Sequence, residues 1–448
     1  VADRVVLLTV GTQGDIRPIV ALGQGLLRVG YEVRVATDPG FAEMVREAGL
    51  EFAPLRSDFR NLMATEPETM RRGLDPFAVA RTARRRLRIM AEAWAGEGLA
   101  ACHGARLIIG SGIATLLAYS IGELLDIPVV QAQLMPLTPS PDIPPVMLMP
   151  RRRPFPGWLN LAIYRLLRFG VWQVMRPAVN GMVRRTLGLR PYPWFVPSPW
   201  RNAEGSRILY GYSRHVLPPS KHWPETARVT GYWFFDQGRN WQPPESLTRF
   251  LSEGEPPVYV GFGSMVGDRA EALSSIVLQA VRMSGCRAIL ATGWGGLSIP
   301  ASESGGRILV IDQAPHDWLF PRVAVAVHHG GAGTTSAAVR AGIPSVVVPF
   351  FGDQPFWAWR LRCLGVAPPP LPRASLSAYE LAEAMVAAGD DGMRLRAAAL
   401  GERVRAEGGI DTAIEILAKW RLLDGSPANS PSARIVLEPV RNAVGGEC

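Results

Sequence analysis

Several protein classes are excluded by what this chain lacks. No run reaches the ~18 apolar residues of a membrane span. The nearest, LIIGSGIATLLAYSIG from Leu107, is interrupted by Gly-Ser-Gly and reads as a buried strand, a turn and a helix. Cysteine is scarce: Cys102, Cys286, Cys363 and Cys448 lie far apart with no metal spacing. That argues against a disulfide framework and for a reducing cytoplasm. The six histidines form no HExxH or related zinc pattern. The first residues, VADRVVLLTVGTQGD, show no basic segment before the apolar run and no small-residue cleavage site. They read as a first strand rather than a signal peptide. Lysine is rare beside arginine, and the net charge is +9. Such a balance suits an anionic ligand or an anionic membrane surface, and it is also what a GC-rich bacterial genome produces.

What is present is ample apolar material, 48% of residues against 19% charged, in 448 residues. That is a globular composition with enough length for two or three domains. Short apolar runs alternate with helical patterns, the rhythm of parallel sheets covered by helices. Strands are expected at 5–10, 32–37, 105–110 and 127–132, and a second set at 258–263, 286–292, 307–312, 323–329 and 344–350. The middle differs. Residues 136–157 are proline-rich and end in RRRPFPGW, a Trp- and Arg-rich helical pattern follows, and residues 190–257 are again rich in Pro and Trp. Two Rossmann-like halves joined by a linker are the simplest α/β architecture, with a weakly patterned tail.

Three stretches carry chemistry. VAVHHGGAGTTS, residues 325–336, takes a strand through a glycine-rich turn into a helix. Backbone N–H groups at such a helix start bind phosphate with the help of the helix dipole. Thr334 and Thr335 add hydroxyls, and His329 adds a ring donor. The motif is neither a P-loop, for want of GK[ST], nor the GxGxxG of NAD enzymes; the bland alternative is a tight turn. In IPSVVVPFFGDQPFWAWRL, Asp353 and Gln354 stand just past a strand end, where a carboxylate beside an amide suits adjacent sugar hydroxyls. The alternative is an Asp N-cap on a helix starting near Pro355. In TVGTQGDIRP, Asp15 stands at the end of the first strand and Pro18 opens a helix; here too an N-cap role is the alternative.

Together these stretches resemble the GT-B glycosyltransferases of family 1, the UDP-glycosyltransferase superfamily, over roughly residues 1–420. The most specific part is residues 313–361. VVVPFFGDQPFWA is similar to the branch of sterol 3-beta-glucosyltransferases, and HHGGAGTT to the bacterial enzymes that glycosylate antibiotics. The resemblance implies a GT-B fold, two Rossmann-like domains with parallel sheets facing across a cleft. Its divisions fall at 1–225 for an acceptor-binding domain, 226–410 for a nucleotide-sugar-binding domain, and 411–448 for a C-terminal helix and tail. It implies an inverting transfer of a sugar, glucose from UDP-glucose, to a hydroxyl of a lipophilic acceptor such as a sterol or steroid. The alternative is a macrolide or polyketide acceptor with a UDP- or TDP-sugar.

Residue by residue, Asp15 matches the general base. Gly14 beside it, Ser264, His329, Gly331, Gly333 and Thr334 match contacts to the diphosphate region. Gln313 and His316 match the segment where nucleobase and ribose lie, and Asp353 and Gln354 match the pair on the sugar. Plant members have Trp at Gln313, Gln at His316 and a ribose-binding Glu at Ala337, so the nucleotide stays open between UDP and TDP. Trp294 or Trp318 is then a candidate to stack on the base. No D-x-D occurs, so no metal is expected. No resident cofactor and no nucleic-acid partner are expected either, the nucleotide sugar being a co-substrate. The basic, aromatic segments 80–94 and 151–172 are candidates for the acceptor pocket, a peripheral membrane contact, or ordinary amphipathic helices. Cytoplasmic placement, with or without contact at a membrane surface, is the expectation.

Overall fold

The computed structural model describes residues 3–57, 76–147, 155–195, 206–239, 241–263, 270–293 and 297–423. Its strands form two parallel sheets. The first contains β1 Arg4–Leu8, β2 Glu32–Thr37, β3 Glu51–Pro54, β4 Ala105–Ser111, β5 Val129–Gln133, β6 Arg207–Tyr210 and β7 Ala227–Val229, in the order β3-β2-β1-β4-β5-β6-β7. The second contains β8 Val258–Val260, β9 Ala288–Ala291, β10 Ile308–Ile311, β11 Val325–His328 and β12 Ser345–Val347, in the order β10-β9-β8-β11-β12. Every run expected as a strand forms one, with most ends moved by a few residues. β3, β6 and β7 were not expected. Two of them are the edges of the first sheet, and all three are short.

The buried strands show why both faces of each sheet are covered. Along β1, Val5 and Leu7 enter one core, while Val6 and Leu8 enter another on the opposite face. In the second sheet Val325 and Val327 face one cluster and Ala326 the other. This period of two, with apolar residues at every step, needs helices on both sides. Those that concern the site are α1 Gln13–Arg28, α2 Pro76–Cys102, α3 Thr115–Leu125, α4 Gly157–Ala178, α5 His316–Leu319, α6 Ala332–Ala341, α7 Gln354–Cys363, α8 Asp391–Arg405 and α9 Ile410–Lys419. α1 starts at Gln13, not at Pro18, because Thr12 and Asp15 bond to each other across its first turn. Pro18 lies inside the helix.

The expected boundary at 225 falls just before β7, so the first sheet ends at Val229. The C-terminal helix is not a separate unit. α9 returns to the first domain and buries Ala413, Ile414 and Leu417 in its core, with Leu422 and Leu423 beyond the helix. Contact with α1 is close enough that a methyl group on Gly25 would lie 2.1 Å from Ile410 Cγ2. The chain therefore crosses between the sheets twice, after β7 and again between α8 and α9. The crossings touch: a methyl on Gly231 would lie 3.1 Å from the Gly409 Cα. Beside them the Arg214 N–H donates to Glu407 at 3.0 Å. Cys102 and Cys286 are free thiols, and Cys448 lies outside the described residues.

Ile414 is 4% exposed. Ile414→Ala is expected to lower stability by about 2–5 kcal/mol, the usual cost of emptying a buried Ile site, read by equilibrium urea unfolding. A loss below about 1 kcal/mol would mean that α9 merely rests on α1, since core truncations cost more than that.

Candidate active site

β11 delivers two histidines to the start of α6, and they do different things. His328 is fully buried, and its Nδ1 accepts the Gly330 N–H at 3.0 Å. The ring thus fixes the turn and carries its proton on Nε2. Burial pushes its pKa well below the ordinary value. His329 points the other way. Its ring lies against the N-cap residue of the helix: a methyl on Gly331 would stand 2.4 Å from Nε2. A side chain there would displace the imidazole. The Nδ1 of His329 is buried with no hydrogen-bond partner among the described residues. Burial lowers the His329 pKa to about 4, so the ring is neutral near pH 7 and offers a hydrogen bond, not a charge. Gly331 is the N-cap of α6, with no side-chain cap and no acidic residue in the first turn. Its first amides are left for an anion. Gly333 and Thr334 are partly exposed, and Thr335 is buried.

Asp15 approaches this turn from the other domain. A methyl on Gly333 would lie 3.6 Å from the Gly14 Cα, so the starts of α1 and α6 meet across the cleft. The Asp15 Oδ2 accepts from the Thr12 N–H at 2.8 Å and from the Thr12 hydroxyl at 2.9 Å. The residue is thus a cap as well as a cleft residue, but at the third helical position rather than the N-cap. Both bonds fall on one oxygen, which leaves Oδ1 to act. Burial raises the Asp15 pKa, and the two Thr12 bonds offset part of the rise. Gly11, at φ +147°, leaves space for the carboxylate: a methyl there would meet Oδ2 at 2.4 Å.

The sugar pair splits. Asp353 is the N-cap residue of α7, yet its side chain does not cap; Oδ2 accepts from the Trp357 indole at 2.8 Å. Its pKa is raised to about 6, first by burial, and further by the charge of Asp15 across the cleft. The two carboxylates therefore feel each other. Gln354 is 4% exposed, and its Oε1 accepts from Phe350 N–H at 2.7 Å and from Phe351 N–H at 3.2 Å. That oxygen holds the loop between β12 and α7 and is not presented to a sugar.

His316 begins α5. Its ring stacks on Phe320 with centroids 4.3 Å apart, and Nε2 sits 3.3 Å from the Tyr259 hydroxyl. Burial, then the charge of Arg17, lower its pKa to about 3. Gln313 is exposed. Trp318 packs edge-on against Trp241 at 5.1 Å and carries Arg322 on its face at 4.2 Å, which makes it a linker contact. Ala337 packs among the apolar residues around Ala338. Ser264 and Trp294 lie outside the described residues. Sequence reasoning missed Thr12, Arg17, Tyr259 and Trp357. The spacing of Thr12 three residues before a carboxylate is a capping-box signal, and Trp357 stands one helical turn after Asp353. Nothing local marks Arg17 or Tyr259.

A cleft between two parallel-sheet domains, with an uncapped helix start on one side and a carboxylate on the other, defines a GT-B glycosyltransferase architecture. The family described as glycosyltransferase family 28 N-terminal domain matches residues 5–140. The family of erythromycin biosynthesis protein CIII-like C-terminal domains matches residues 299–412. The fold of the chain is that of the GT-B glycosyltransferases. A sterol 3-beta-glucosyltransferase of Neosartorya fischeri is 35% identical over 424 residues, covering 92% of this chain and 29% of that protein. One of Arabidopsis thaliana is 34% identical over 430 residues, covering 93% of this chain and 65% of that protein. The chain thus spans less than two thirds of either relative. In structure it is similar to the glycotransferase of kitacinnamycin, with TM-score 0.66 and 21% identity over 93% of this chain and 99% of that one. The thymidine diphosphate complex of glycosyltransferase SsfS6 from Streptomyces sp. SF2575 aligns with TM-score 0.60 and 20% identity over 93% of this chain and 99% of that one.

A histidine held neutral by burial gains a proton more easily once an anion lies beside it. Resolved by NMR, His329 is expected to titrate near 4 in the free protein and to move upward when UDP or TDP is added. A free-protein midpoint at the ordinary 6.5 would overturn this account of the turn.

Proposed function

We propose that this chain transfers glucose from UDP-glucose to the hydroxyl of a sterol or related lipophilic alcohol, with inversion at the anomeric carbon. The observation that carries the reading is the likeness to sterol 3-beta-glucosyltransferases over nine-tenths of the chain, combined with Asp15 facing the start of α6. In the reaction, Asp15 Oδ1 takes the proton of the acceptor hydroxyl as its oxygen attacks the anomeric carbon. The bond from that carbon to the diphosphate oxygen breaks on the opposite face. The charge that develops on the departing diphosphate is met by the first amides of α6, the Thr334 hydroxyl and the His329 ring. Asp353, held by Trp357, is the group on the sugar hydroxyls. This scheme requires no metal, in keeping with the missing D-x-D, and activity is expected to persist in EDTA.

The acceptor side rests on α2, α3 and α4. They close on an apolar cavity lined by Leu87, Trp94, Leu116, Met175 and Val183 among others. Its volume of about 10 Å³ admits no sterol unless the helices part. The outward face of α4 carries Trp158 (71% exposed), Leu166 (70%) and Val171, with Arg165 among them. Trp194 stands beside it, edge-on to Phe169 at 5.3 Å. An aromatic and apolar face with arginine suits the headgroup layer of an anionic bilayer, where a lipophilic acceptor resides. No helix among the described residues is long and apolar enough to cross a membrane.

A donor and acceptor panel tests the reading: UDP-glucose and TDP-glucose, each with sterols, macrolide aglycones and aromatic polyketides. Sterol glucoside formed from UDP-glucose is expected. Product from polyketides alone would move the chain to the antibiotic-type reading, and hydrolysis of the donor with every acceptor would defeat both. Asp15→Asn is expected to cut turnover by roughly 10²–10⁴ with donor binding nearly unchanged. A base must be ionised, so wild-type turnover falls as pH falls, with a midpoint above 3.8 because burial raises the Asp15 pKa. The Asn variant should lack this acid limb. For the bilayer contact, flotation with phosphatidylserine vesicles should recover wild type and recover less of a Trp158→Ser, Leu166→Ser variant. Equal recovery of the two would remove the membrane from the proposal.

A further inference from the structure

Arg17 has no role in the scheme above, and its setting demands one. It lies on α1, two residues after Asp15, and its Nε is buried with no hydrogen-bond partner among the described residues. A guanidinium withdrawn from water is costly unless something pairs it. Its electrostatic neighbours belong to the other domain: its charge acts on His316, and Asp317 acts on it. Asp317 is already engaged, for its Oδ2 accepts the Gly238 N–H at 2.7 Å. The arginine of one domain therefore lies in the field of the Asp317 carboxylate of the other, with no ion pair between them among the described residues.

The surroundings supply hydrogen bonds but little positive charge. His316, His328 and His329 are all held neutral by burial. The start of α6 contributes amide dipoles, and the start of α1 faces it at the Gly14–Gly333 approach. Across the Gly14–Gly333 approach, the uncapped start of α6, a buried His329 nitrogen and the buried Arg17 Nε all lack side-chain partners among the described residues. The α6 amides and the Arg17 Nε are donors, and a single anion with several oxygens would satisfy them together.

We infer that Arg17 is a donor-binding residue contributed by the N-terminal domain, which pairs with the diphosphate of the nucleotide sugar and thereby draws the two domains together around it. The inference rests on the glycosyltransferase reading and adds to it. The diphosphate is gripped from both sides, by Arg17 on α1 and by the first amides of α6. It also explains a desolvated arginine in a free protein, since that arginine is paired only when the donor is bound.

The test is calorimetric titration of wild type, Arg17→Gln and Arg17→Lys with UDP, UMP and uridine, with thermal unfolding as a check on folding. In wild type, UDP should bind more tightly than uridine. Arg17→Gln should weaken UDP by roughly 10–100-fold, the worth of a charge-assisted hydrogen bond, and leave uridine nearly unchanged. Arg17→Lys should recover part of the loss, and the salt dependence of UDP binding should be shallower in the Gln variant than in wild type. If wild type binds UDP and Arg17→Gln binds it equally well, the inference is overturned. If uridine and UDP weaken together in both variants, Arg17 shapes the site instead of pairing with phosphate, and the inference is again overturned. If wild type binds neither UDP nor TDP, the donor reading itself fails. Should Arg17→Gln not fold, Arg17→Met, which keeps the apolar stem, takes its place in the same comparison.

Discussion

The structure turns on the opposition of two helix starts. α1 and α6 point their N-terminal ends at one another across the cleft, close enough that their backbones nearly touch at Gly14 and Gly333. Each end carries about half a positive charge, which the Asp15 carboxylate offsets on α1, while the start of α6 has no side-chain cap and no acidic residue in its first turn. Two carboxylates, Asp15 and Asp353, stand at the rim of the same space, and burial raises the pKa of both. The protein thus sets two carboxylates of raised pKa beside histidines held neutral in one small volume, with the donors of α6 fixed in place.

Local motifs carry more than one task in this arrangement. Asp15 closes the first turn of α1 through Thr12, and the same bonds fix which of its oxygens faces the cleft. The indole of Trp357 fixes Asp353 in the same way, one turn along α7. His328 and His329 are adjacent in sequence and opposite in role: one hydrogen-bonds inward to shape the turn, the other lies over the helix start.

Much of this was legible in the sequence. Parallel strands buried on both faces read as continuous apolar runs, so β1, β2, β8 and β11 stood out. β3 and β7 did not, because edge strands of three or four residues carry too little pattern, and β6 was hidden in a Pro- and Trp-rich stretch. The three motif segments, the glycine-rich turn among them, fell together in the cleft because each follows a strand end, which in α/β sheets is where ligands bind. The bonds of the Gln354 oxygen to the Phe350 and Phe351 N–H groups were not legible, since a sequence does not say which end of an amide the local backbone will claim. Arg17 was missed for a different reason: its environment is made by the other domain, some three hundred residues away in the chain.

The return of α9 to the first domain has a consequence for how the protein is made. During synthesis the strands and helices of the first sheet leave the ribosome early, but the face of α1 that α9 covers remains bare until the second sheet has been translated. Vectorial folding, in which an N-terminal unit is finished before the next begins, is therefore closed to this chain. Its first domain is completed last, by a segment that must pass back across the same junction it left.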